Sequence, residues 1–203
     1  MEKRTLEPDL ELYRNTLTRL TENGEMTTLV IIRMGCELGM TRLEIVNAKV
    51  SDVDRHNKRG LWIEVAKKVR RGKKITADGK KKAVFVMRKR EIPVNYDFYQ
   101  VLRSYMDSNQ MYVLHRKKGD RNKPFIPRYI NTLYDQNKVP WRSHKSRHFF
   151  KSQVWSWMQK NQQVDVGLMK EYMGHKKTTD ENYGSYSWDY KRGVLDKVFG
   201  WTK

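Results

Sequence analysis

The sequence predicts a mainly α-helical fold with a small antiparallel β-sheet, and three observations lead there. Apolar residues recur at intervals of three and four along most of the chain. Two short runs of β-branched and aromatic residues, Leu61–Val65 and Ala83–Met87, interrupt that period. Asn23-Gly24, Gly39 and Pro93 fall where one pattern ends and the next begins.

Taken in order, residues 8–22 read as a helix, with Leu10, Tyr13, Leu17 and Leu20 on one face and Asn23-Gly24 as the stop. A second helix spans Thr27–Leu38, Gly39 breaks it, and a third, short helix runs from Thr41 to Ala48 with Leu43, Ile45 and Val46 available for burial. The two strand runs flank a polar hairpin. Between Lys67 and Arg90 stand twelve basic residues and one acidic one, Asp78, with Gly72 and Gly79 at flexible points. A solvated loop is the ordinary fate of such a charge block, but its place between two strands favours a basic β-hairpin that contacts phosphates.

Pro93 closes the sheet, and Tyr96–Met106 forms a helix with Phe98, Leu102 and Tyr105 on one side. Residues 110–126 are irregular, and a helix follows Pro127. From His144 the chain is helical again. One segment presents Phe149, Val154, Trp155, Trp157 and Met158, and two more cover Val166–Met173 and Asp189–Phe199. No repeat, low-complexity tract or linker divides the chain, so residues 1–203 are expected to form a single domain.

Composition bounds what such a domain does. The 203 residues carry a formal charge of +19, a self-repulsion that a polyanionic partner relieves. Hydrophobic residues at 38% and aromatics at 11% are too many for a disordered basic tail. No window approaches the roughly 18 to 20 apolar residues of a membrane span, and Met1-Glu2-Lys3-Arg4 leads into polar sequence, so the expectation is a soluble, cytoplasmic protein without a membrane partner. The single cysteine, Cys36, excludes an internal disulfide and sits in an apolar run as a small buried residue.

The segment richest in chemistry is Ser143-His144-Lys145-Ser146-Arg147-His148-Phe149-Phe150. Residues three apart on a helix share a face, so His144 and Arg147 project toward one ligand. His56 to Arg59 is a second His-x-x-Arg, so the spacing alone specifies little. Its context does more: Tyr172-Met173-Gly174-His175 follows about thirty residues later, then Thr178-Thr179, then Tyr183 eight residues past His175.

In order and spacing these motifs resemble the tyrosine recombinases, the phage and archaeal integrase family. The resemblance covers roughly residues 10–200 and implies a tyrosine recombinase catalytic-domain-like fold. It makes Tyr183 the nucleophile, with Tyr186 and Tyr190 as nearby alternatives, His144 the acceptor of its proton or its orienter, Lys67 the donor to the departing 5′ oxygen, and Arg147 and His175 phosphate-binding residues. The family's earlier arginine and acid are matched by Gly39-Met40-Thr41-Arg42-Leu43-Glu44 and Ser51-Asp52-Val53-Asp54, although an ungapped line-up puts Thr41 at the arginine's place and Arg42 one residue on. Arg33 is a second substitute. The family's lysine after the first hairpin strand falls on Lys67, with Lys68 beside it, and Arg90-Glu91-Ile92-Pro93-Val94 resembles the end of the second strand.

These residue types suit phosphoryl transfer. The five-coordinate phosphorus gathers negative charge on its nonbridging oxygens, and arginine answers it with two parallel donors on a group that stays protonated. Each preorganised donor contributes on the order of 3 to 4 kcal/mol in the transition state. The resemblance implies no cofactor, double-stranded DNA as partner, and four protomers assembled on two duplexes. Two readings stand beside it: a catalytically silent DNA-binding module, and a type IB topoisomerase-like nicking and closing activity. About 26 residues precede Thr27, too few for the family's N-terminal domain, and the tail from Ser187 packs either at home or on a neighbouring protomer.

Overall fold

A computed structural model describes residues 7–55, 57–77, 79, 81–107, 109–115, 123–175 and 186–201, with the backbone alone for 64–74 and 81–88. Three helices open the chain: α1 (Leu10–Glu22), α2 (Met26–Cys36) and α3 (Arg42–Asn47). Asp9 caps α1 by accepting from Leu12 N at 2.7 Å. Helix α2 is buried on every side from Thr28 to Cys36, with Val30, Ile31, Ile32, Met34 and Cys36 fully buried, which makes it the central helix rather than a surface one.

A ribbon of two antiparallel strands follows, β1 (Gly60–Ile75) and β2 (Lys81–Pro93). Both strands are much longer than the five-residue runs read from the sequence. Backbone pairing holds an antiparallel ribbon whatever its side chains, so the charged stretch pairs although it shows no apolar alternation. The register shifts between Val65 and Val69 and again between Arg70 and Gly72. Such bulges bend a strand and re-aim its residues.

Five helices complete the chain among the described residues: α4 (Tyr96–Tyr105), α5 (Tyr129–Gln136), α6 (Ser143–Lys160), α7 (Val166–Met173) and α8 (Trp188–Phe199). Helix α6 lies against α2 where a Cβ on Gly35 would stand 2.7 Å from Ser146 Cβ. At that contact Ser146 Oγ accepts from Trp141 Nε1 at 3.0 Å and pairs with the Tyr134 hydroxyl at 3.0 Å, which satisfies two buried aromatic polar atoms. No described helix is long and apolar enough to cross a membrane.

Helix α8 packs at home. Val194, Leu195, Val198 and Phe199 are buried, Phe199 stacks on Phe150 at 6.0 Å, and Tyr172 Oη donates to Lys191 O. Trp188 covers Gly60, where a Cβ would overlap the indole. Trp155 and Trp157 stand at the edge of the core rather than inside it.

Arg33 has a structural task. Its buried side chain donates from Nε to Glu37 Oε1 at 2.6 Å and from Nη1 to Asp97 Oδ2 at 2.6 Å, and stacks over Phe98 at 4.5 Å. That commitment removes it as a substitute for a phosphate-binding arginine.

Candidate active site

Helix α6 begins with cations where its dipole favours anions. Its N-cap is Arg142, which makes no side-chain cap bond, and the first turn holds no acidic residue. Each cation at a helix N-terminus costs about 0.3 to 1 kcal/mol, and an anion placed there recovers it. Exposed His144 lies on this turn and exposed His148 on the next, with ring centroids 6.0 Å apart, so His148 neither caps nor packs into the core. Lys145 is ion-paired with Glu7.

Arg147 is anchored from below. Nη1 donates to Gly39 O and reaches Glu44 Oε2 at 3.4 Å, while Nη2 donates to Met173 O at 2.8 Å. An arginine has five N–H donors. These three bonds leave Nε–H and one Nη2–H without a partner among the described residues, with the side chain 15% exposed. Nε–H and an Nη2–H are the pair with which a guanidinium binds an acceptor bidentately.

The anchor exists because of the turn before α3. Gly39 has φ +59°, and a Cβ there would stand 2.5 Å from the Phe150 ring, so only glycine fits. Thr41 then caps α3 in a reciprocal box: Glu44 N donates to Thr41 Oγ1 at 3.3 Å and Thr41 N donates to Glu44 Oε2 at 2.6 Å. Thr41 is thereby spent as a cap. Arg42 is the first residue of α3, exposed, and its charge acts on His144 across the gap between α3 and α6.

Arg147 reaches α3 through Glu44, two residues on from Arg42 in the same helix. Partial burial holds the His144 pKa below its usual 6.5, and the charges of His148, Lys145, Arg42 and Arg142 depress it further. The neutral ring dominates at pH 7.

His175 follows the C-terminus of α7, where Gly174 takes φ +61° and His175 N closes the cap on Lys170 O at 2.8 Å. It is exposed rather than a core histidine, and lines a cleft of about 750 Å³ with Lys58, Lys89, Arg90 and Trp188. Lys67 lies in the first register shift of β1, between Val65 and Val69, and the structure describes its backbone only. Tyr183 lies outside the described residues. Of the alternative tyrosines, Tyr186 donates to Asp165 Oδ1 at 2.6 Å; burial and that carboxylate raise its pKa. Tyr190 is exposed and stacks on Tyr186 at 5.8 Å.

Sequence reasoning missed the role of Arg90, which is buried against Glu44. Nothing local marked it, because Arg90 stands in the charged run Arg88-Lys89-Arg90-Glu91.

Comparison with known proteins gives structural likeness alone. No protein-family model and no curated protein matches the chain. Among solved structures it is similar to the integrase from mycobacterium phage Brujita, with TM-score 0.63, 14% identity, and 98% of this chain covered against 60% of that one. It is similar to the XerA recombinase, with TM-score 0.59, 17% identity, and 97% covered against 66%. A lambda integrase dimer bound to a COC' core site gives TM-score 0.51, 12% identity, and 93% against 63%. The chain spans less than two thirds of the length of each of these structures. Mainly helical around one antiparallel β-ribbon, it has the fold of the tyrosine recombinase catalytic domain.

Proposed function

We propose that this chain is the catalytic domain of a site-specific DNA recombinase that cleaves and rejoins DNA through a 3′-phosphotyrosine. The reading is supported chiefly by one arrangement: Arg147, in the first turns of α6 beside His144, is fixed by three internal acceptors and has N–H donors to spare. Such a site is built for a phosphate.

In the proposed step the Tyr183 hydroxyl oxygen bonds to phosphorus and the P–O5′ bond breaks. The phenolic proton passes to His144, and Lys67 protonates the departing 5′ oxygen. Arg42, Arg147 and His175 hold the nonbridging oxygens as their charge grows. The phosphotyrosine ester conserves the energy of the broken bond, so the 5′-hydroxyl of a second strand reverses the step without ATP. Duplex DNA is the proposed partner, with self-association on it.

The test is a set of nicked suicide duplexes of randomised sequence, scored for a denaturation-resistant protein–DNA adduct. Wild type is expected to form one and Tyr183→Phe none. No adduct with wild type would favour a silent DNA-binding module, a reading supported by Thr41 standing at the family's arginine place. Closure of nicks without exchange between duplexes would favour a topoisomerase-like activity.

The His144 role sets a pH dependence. A proton acceptor works unprotonated, and its folded pKa is lowered, so adduct formation should rise with pH through a midpoint below 6.5 and level off by neutrality. His144→Gln should lower the rate and remove that rise. A midpoint above 7, or a rise that persists in His144→Gln, would assign the proton to another group.

A further inference from the structure

Arg90 borders the cleft beside His175, but its guanidinium is committed to internal acceptors. Its side chain is 3% exposed; Nε and Nη2 lie 3.1 and 3.0 Å from Glu44 Oε1, Nη2 donates to Gly39 O at 3.3 Å, and Nη1 donates to Tyr172 O. Arg147 takes the adjacent acceptor in each place: Glu44 Oε2, the same Gly39 O, and Met173 O. The two guanidinium groups are thus paired struts between the turn before α3 and the last two carbonyls of α7. Helix-end carbonyls have no partner within their own helix, and arginine is well suited to supply one.

Two consequences follow. The end of α7 delivers Gly174 and His175, so its distance from Arg147 depends on both struts being in place. In addition, one carboxylate serves two cations, so the cluster keeps one unit of positive charge toward the start of α6. Without Arg90, Glu44 would neutralise Arg147 outright. Burial pulls the Arg90 pKa down to about 10, opposed by Glu44 and assisted by Arg147, and leaves it charged at neutral pH.

We propose that Arg90 is a positioning residue for strand transfer, fixing Arg147 and His175 relative to each other through Glu44, the Gly39 carbonyl and the end of α7. This rests on reading the start of α6 as the phosphate site.

The test compares wild type, Arg90→Lys and Glu44→Asp, which keep the charges but shorten the struts, with the core variant Val30→Ala matched for thermal midpoint. Three quantities are read: the single-turnover rate of adduct formation at saturating DNA, DNA affinity at fixed salt, and the shift of the Arg147 Nε–H resonance on adding inorganic phosphate. Arg90→Lys and Glu44→Asp are expected to lower the rate about 100-fold, the scale of an ångström's misplacement. Affinity should stay within threefold, and the phosphate-induced shift seen in wild type should be lost. Val30→Ala should keep both rate and shift. A rate within threefold of wild type in Arg90→Lys, or an equal fall in Val30→Ala, would overturn the proposal. If wild type forms no adduct the recombinase reading fails, and the resonance still decides: a shift that persists in both strut variants would overturn the positioning role by itself.

Discussion

Glu44→Gln is expected to destabilise the fold by about 3 to 5 kcal/mol, the cost of leaving buried charge without its partner. The near-isosteric amide removes the one carboxylate that Arg90 and Arg147 share, at 3.0 and 3.4 Å, while their side chains remain 3% and 15% exposed. At this chain length the loss corresponds to a fall of roughly 10 °C in thermal midpoint. The capping box of α3 survives the change, because a glutamine Oε1 accepts from Thr41 N as the Glu44 carboxylate does, so the loss reports the two guanidinium groups. Urea unfolding gives the number directly. A loss under about 1 kcal/mol would mean that the two guanidinium groups do not depend on Glu44, since ordinary surface pairs are worth no more than that.

Arg147→Ala is expected to slow adduct formation by about 10² to 10³-fold, the value of one preorganised donor at a developing oxyanion. Its effect on stability should be smaller than that of Glu44→Gln, because Arg90 remains to balance the carboxylate. Arg147→Lys should not restore the rate. An ammonium is a point charge and cannot span Gly39 O, Met173 O and a phosphate with one planar fork. Single-turnover cleavage of the nicked duplex beside a melting curve separates the two effects. A rate fall that merely tracks lost stability would demote Arg147 to a structural strut.

Much of this was legible in the chain because local rules decided it. The three- and four-residue spacing of Leu10, Tyr13, Leu17 and Leu20 marked α1, and the apolar run Leu29–Leu38 marked the central helix, with Cys36 buried inside it. The His144 and Arg147 spacing placed both at the start of α6. The length of the ribbon was not legible, since backbone pairing leaves no periodic trace in a run of lysines and arginines.

What escaped entirely was long-range. Arg90 meets Tyr172 across 82 positions and Arg147 meets Gly39 across 108, and no spacing rule reaches that far. Arg33 looked available until Asp97, 64 positions away, closed on it. The tail from Ser187 was balanced between home and neighbour because its apolar residues serve either; the Phe150 and Gly60 surfaces decided for home.

The most direct measurement is mass spectrometry of the covalent adduct after proteolysis and nuclease digestion, read for the peptide that carries the nucleotide. The nucleotide is expected on Tyr183, joined through its 3′ phosphate. A label on Tyr186 or Tyr190, a 5′ linkage, or unmodified tyrosines after incubation with cleavable DNA would contradict the mechanism.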